Sequence, residues 1–173
     1  MKVIFLDFDG VINNWNSFYD IDPKNVECLL KIINSTNAKI VVTSSKKYIF
    51  QLDKNINYED TGCYKYIKIL EMYGIETYGI TPYVKGKREL EIIEYLNEDP
   101  EIEEFLILDD DSVIESLKDH QVFLDLYKGI TEEHIIPSIN ILNGNLGFYP
   151  PDFNFFETPM ERLIRINKYY NNK

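Results

Sequence analysis

Cysteine, histidine and glycine are scarce in this sequence of 173 residues, and each shortage closes off a class of chemistry. The two cysteines, Cys28 and Cys63, and the two histidines, His120 and His134, have no zinc-ligand spacing. Two thiols without a secretion signal are read as free and reduced, and Cys28 falls within a helical apolar pattern that points to the core. The eight glycines include no Gly-x-Gly-x-x-Gly run after the first predicted strand, which removes a Rossmann dehydrogenase; Asp-Gly-Val-Ile-Asn stands there instead. No apolar run approaches the ~18 residues of a membrane span. The apolar N-terminal stretch turns acidic at Asp7, too soon for a signal peptide, so a cytoplasmic protein without a membrane partner is expected. Positive charge is also short: 18 Lys and Arg stand against 29 Asp and Glu, a net charge of −11. Such a chain repels nucleic acid unless its cations gather locally. No extended nucleic-acid surface is expected, while a small basic pocket for one phosphate stays open.

What the sequence does have is alternation of strand and helix. Val3 to Leu6 is a continuous apolar run ending in acids, as in a buried parallel strand. Asp22-Pro23 opens a helix, with Asp as N-cap and Pro at the first helical position. Strand patterns follow at residues 39–42, 76–80, 105–108 and 122–124, and helical patterns at 48–52, 62–73, 88–97 and 112–118. Thr131-Glu132-Glu133-His134 begins a further helix that Pro137 is expected to kink. Composition shifts to proline and aromatics from Gly147, and a last amphipathic helix is predicted over 159–170. The pattern predicts an α/β domain, parallel sheet covered on both faces, over 1–146, with 147–173 as an appendage packed on it.

Acids and hydroxyls fall at the carboxyl ends of three predicted strands: Asp7 and Asp9, then Thr43 and Ser44, then Asp109 to Asp111. In an open parallel sheet those ends border one crevice, where ligands bind. Each acid alone reads as a cap or a solvated loop residue; three strand ends together do not. Two carboxylate clusters in one crevice call for a cation between them, and an all-oxygen donor set favours magnesium. Such an ion also lets a carboxylate approach a phosphate dianion.

These residues resemble the motifs of the haloacid dehalogenase (HAD) superfamily. Phe5-Leu6-Asp7-Phe8-Asp9-Gly10-Val11 is similar to its first motif, and Thr43 or Ser44 to the hydroxyl of its second. Lys87, with Lys85 and Arg88 nearby, falls where the third-motif lysine is expected, and Asp109-Asp110 resembles the fourth-motif acids. The resemblance spans roughly residues 1 to 143 and implies a three-layer, Rossmann-like HAD fold. It also implies a phosphatase mechanism: Asp7 as nucleophile forming an aspartyl-phosphate, and Asp9 as general acid and then base. Thr43 or Ser44 would bind the phosphoryl oxygens and Lys87 would neutralise their charge. Asp109 and Asp110 would hold Mg2+ with the Asp7 carboxylate and the Asp9 carbonyl. Gly10, Asn13, Trp15, Lys46 and Arg88 are the accompanying candidates for substrate contact.

The segments Val42-Thr43-Ser44-Ser45, Tyr73-Gly74-Ile75, Leu106 to Asp111 and Gly129 to His134 narrow the resemblance to the HAD domain of Swiss-army-knife RNA repair proteins. That implies a phosphorylated substrate at a nucleic-acid end, or a nucleotide. The subgroup often has Trp-Arg after its double serine, where this chain has Lys46-Lys47. Residues 13–39 and 45–84 leave no room for a cap domain, so a capless, open site is expected. A receiver-type phosphoacceptor domain is rejected by motif order, because here the acidic pair follows the hydroxyl and the lysine. A non-catalytic or partner-dependent HAD-fold protein, and a phosphatase of small metabolites or phosphoproteins, are the alternative readings.

Overall fold

Five short strands, β1 (Lys2–Leu6), β2 (Lys39–Val42), β3 (Thr77–Ile80), β4 (Glu104–Asp109) and β5 (Gln121–Phe123), pair in parallel in the order β3-β2-β1-β4-β5. They belong to a computed structural model that describes residues 1–18, 20–111 and 114–146. The expected appendage of 147–173 and its helix lie outside the described residues.

Alternation along each strand divides the core in two. Ile4, Leu6, Ile40, Val42, Leu106 and Leu108 face one layer, against α1 (Pro23–Thr36), α3 (Gly62–Met72) and α5 (Ile135–Leu142). Val3, Phe5, Val41 and Ile107 face the other, where Ile92 of α4 (Arg88–Glu98) and Ile114 close the second core. The described residues form a three-layer α/β fold without a large cap. Between β2 and β3 the chain holds only the short α2 (Tyr48–Leu52), 3-10 turns and α3.

The local chemistry of α1 is that expected from its sequence. Asp22 accepts the Lys24 N–H at 3.0 Å, Pro23 occupies the first helical position, and Asn37 ends the helix in the left-handed region at φ 55°. Val26, Leu29 and Ile32 are fully buried on its inner face, each contributing roughly 1.5–3 kcal/mol of burial. Among the described residues no helix is long and apolar enough to cross a membrane.

Three sequence expectations shift. The helix predicted over 112–118 is a 3-10 turn at Glu115–His120, preceded by Ile114, which sits in the core and donates its N–H to Gln121 Oε1 at 2.9 Å. This tie makes Gln121 the first residue of β5, one earlier than its apolar pattern suggests. The helix expected from Thr131 starts as a 3-10 turn at Glu132–His134, so α5 begins at Ile135 and Pro137 is its third residue, where no intrahelical N–H partner is needed.

Both cysteines are buried and free. Burial pushes the Cys63 thiol up to about 11 and raises that of Cys28 as well. At about pH 8, where an exposed thiol reacts readily, neither should be modified by an aromatic disulfide reagent until denaturant is added. Prompt labelling of the native protein would contradict this packing.

Candidate active site

The sheet order places a topological switch between β1 and β4: the chain winds outward through β2 and β3, then returns to the other side of β1. Asp7 follows the last residue of β1, and Asp109 ends β4. Leu6 and Leu108 are paired in register, and the Asp7 N–H bonds the Leu108 carbonyl at 3.1 Å, so the two acids leave the sheet side by side. Carboxylate oxygens of Asp7, Asp109 and Asp110 lie within 4.8 Å of one another, and all three residues are buried.

Crowded carboxylates need a cation, and Arg88 supplies one. Its Nη2 donates to Asp7 Oδ2 and its Nη1 to Asp109 Oδ2, both at 2.9 Å. Burial opposes the guanidinium charge, but Asp109 and Asp7 outweigh it, so its pKa is raised and it stays protonated. Burial also pushes the Asp109 carboxyl up to about 6; Arg88 opposes that rise and the Asp7 charge adds to it.

Of the three cations around the third-motif position, Arg88 is the one that reaches the acids. Lys87 is the exposed N-cap residue of α4, and Lys85 is exposed in the left-handed region at φ 55°. Arg88, the first residue of the helix, reaches the acids instead. Lys87 lines the rim of the cleft.

Around Asp7 the backbone turns tightly. The N–H groups of Val11, Ile12 and Asn13 all point to the Phe8 carbonyl, while Val11 and Ile12 anchor the turn in the core. Gly10 makes the turn possible twice over. Its φ is +67°, and a Cβ there would stand 2.2 Å from Cγ of Asp110. Gly10 is thus the surface on which Asp110 rests.

Asp9 is held from two sides. Its Oδ1 accepts from Asn13 Nδ2 at 2.8 Å, and its Oδ2 pairs with Lys46 Nζ at 2.7 Å. Asn13 is wholly buried and also meets the Tyr66 hydroxyl at 2.9 Å. It orients Asp9 and does not line the cleft, contrary to its expected place as a substrate contact. Lys46 lines the cleft, and the pull of Asp9 raises its pKa against the effect of burial.

The hydroxyls expected to meet phosphate are fully buried. Thr43 Oγ1 is the acceptor of a 3.3 Å bond from Thr81 Oγ1, and Ser44 Oγ accepts the Lys46 N–H at 3.4 Å. The serine hydroxyl lining the cleft is that of Ser45, one position further on. Trp15 is half exposed, packs obliquely on Tyr127, and is fixed through its N–H to the carbonyl of Leu126, a residue of the cleft wall. It stands beside the site without lining it.

Together these residues bound an open cleft of about 950 Å³, with Asp7, Asp9, Lys46, Arg88 and Asp110 toward its chemistry and Tyr48, Ile114 and Leu126 along its walls. Tyr48, Ile114 and Leu126 were not singled out from the sequence, since nothing in their spacing marks them. The donor set fits magnesium: three clustered carboxylates and no nitrogen or sulfur ligand among them. Each oxygen that accepts from Arg88 has a second lone pair, so the pairing does not exhaust the ligand capacity of Asp7 or Asp109.

Gly10→Ala should displace Asp110 and impose roughly 1–2 kcal/mol of backbone strain. The expected outcome is a lower unfolding midpoint together with weaker magnesium binding by calorimetry. A lowered midpoint with unchanged magnesium affinity would remove Asp110 from the ligand set.

No curated protein and no solved structure matches the chain. The sequence model for the HAD domain in Swiss Army Knife RNA repair proteins matches residues 3–135, from the second residue of β1 to the first residue of α5. That span covers most of the chain and every residue of the aspartate cluster and its arginine. The chain belongs to this family of HAD domains.

Proposed function

We propose that the chain is a magnesium-dependent phosphomonoesterase that works through an aspartyl-phosphate on Asp7, with terminal phosphates of nucleic acid or nucleotides as its substrate class. The observation that carries the reading is the cluster of Asp7, Asp109 and Asp110 at an open cleft, with Arg88 bridging Asp7 and Asp109.

In this reading a carboxylate oxygen of Asp7 attacks phosphorus, and the bond from phosphorus to the ester oxygen breaks. Asp9 gives its proton to that oxygen, then takes one from the water that attacks phosphorus and releases Asp7. Arg88 and Lys46 offset the charge on the phosphoryl oxygens, and Ser45 is the hydroxyl nearest to joining them from the cleft wall. Lys87 adds positive charge at the rim. Magnesium, held by Asp7, Asp109 and Asp110, would reduce the repulsion between phosphate and carboxylate.

Support for the substrate class comes from three directions. The family is named for RNA repair proteins. Among the described residues no cap covers the cleft, so the end of a polymer can enter. Lys46, Lys87 and Arg88 gather at the cleft while the chain as a whole carries −11, which suits a strand end better than a long duplex.

The test is phosphate release from a chromogenic ester, from mononucleotides and from oligonucleotides phosphorylated at either end, with magnesium and with chelator. Oligonucleotide ends should be preferred, and chelator should abolish release. Asp7→Asn should remove turnover, and Asp9→Asn should slow it by about 10²- to 10⁴-fold. Full activity of purified Asp7→Asn protein would eliminate the nucleophile, and release only from small esters would eliminate the nucleic-acid role.

A further inference from the structure

Lys47 and Glu91 form an ion pair at 2.6 Å in which both side chains are wholly buried. They are neighbours of the site but outside the cluster of acids. A lysine–glutamate pair taken fully out of water gains little for stability over apolar side chains of the same size. Its position in the fold therefore calls for another explanation.

The bonds of Glu91 supply it. Oε2 accepts from Lys47 Nζ at 2.6 Å and from the Tyr48 hydroxyl at 3.3 Å, and Oε1 accepts the Val84 N–H at 3.2 Å. Lys47 and Tyr48 belong to the turn after β2, which carries Ser45 and Lys46 into the cleft. Val84 belongs to the loop that leads to Lys87 and Arg88. Glu91 itself stands three residues after Arg88, on the neighbouring helical position. One carboxylate thus binds the β2 exit, the loop before α4 and the first turn of α4. That turn has no side-chain N-cap bond of its own, since its N-cap is Lys87. The Lys47 ammonium also lies 4.6 Å from the centre of the Tyr48 ring, which closes the polar group off on another side.

We propose that Lys47 and Glu91 are positioning residues that set the first turn of α4 so that the Arg88 guanidinium spans Asp7 and Asp109. The Arg88 fork makes two bonds of 2.9 Å to acids on two different strands, a geometry that tolerates little movement of the helix. Lys47 and Glu91 touch neither substrate nor the reacting carboxylates; they act through Arg88.

The experiment compares the wild type with Lys47→Met/Glu91→Leu, which removes both charges and keeps an apolar filling. The guanidinium signals of Arg88, assigned by their loss in Arg88→Lys, are followed by 15N NMR. In the wild type the Nη protons should give separate, slowly exchanging signals. In the double variant they should merge, while thermal unfolding stays cooperative. This readout does not depend on turnover, so it holds even if the phosphatase reading fails. Where the wild type is active, kcat should fall about 10- to 100-fold with KM within about threefold, as expected of a misplaced charge-stabilising group. Unaltered Arg88 signals in the folded variant, or merged signals already in the wild type, would overturn the proposal. Should the double variant not fold, Glu91→Gln keeps the volume and carries the same measurement, with the same two outcomes.

Discussion

Everything at the strand ends depends on the mutual repulsion of carboxylates that a parallel sheet brings together. The pairing of Leu6 with Leu108 sends Asp7 and Asp109 out of the sheet as neighbours, and the tight turn through Gly10 sets Asp110 beside them. Left alone, buried negative charges this close would protonate or splay apart. Arg88 bridges Asp7 and Asp109 from the first turn of α4 and offsets their charge. The fold and the chemistry are therefore joined at one guanidinium. Its position follows from how α4 is attached, and that attachment is made by a second, fully buried pair, Lys47 and Glu91.

The same logic extends to the loop after β1. Asn14 donates to Asn25 at 2.8 Å and to Asp22 at 3.1 Å, and Asn25 donates in turn to the carbonyls of Lys128 and Ile130 at 2.9 and 2.6 Å. Buried amides thus tie the loop to α1 and to the segment after β5. The loop so fixed carries Trp15, whose backbone N–H bonds the carbonyl of Leu126 in the cleft wall.

Much of this architecture could be read from local chemistry. Asp22 and Pro23 announce α1, the apolar run 39–42 announces β2, and acids after two apolar runs announce the crevice, because each signal lies within a few residues of its effect. What escaped lies in the backbone of a tight turn or in long-range contact. Lys85, Lys87 and Arg88 carry similar charge, and the entry into α4 separates them: Lys85 sits in a left-handed turn, Lys87 is the extended N-cap, and Arg88 is the first helical residue. Asn13 looks like a polar loop residue until its burial shows it holding Asp9. Lys47 reads only as part of the Lys-Lys step after the double serine, since nothing near it in sequence reveals a carboxylate on α4. Thr43 and Ser44 sit at the expected strand end, but the cleft is lined one residue later, by Ser45.

The close approach of Gly10 to Asp110 has a consequence for how such a chain can change over generations. A side chain at position 10 would need the space that the Asp110 carboxylate fills, and a backbone conformation that residues with a Cβ rarely adopt. No single substitution satisfies both demands while keeping the acid where it is. The two positions, a hundred residues apart in the sequence, are bound to a common fate: a descendant that abandons the glycine must first give up the aspartate.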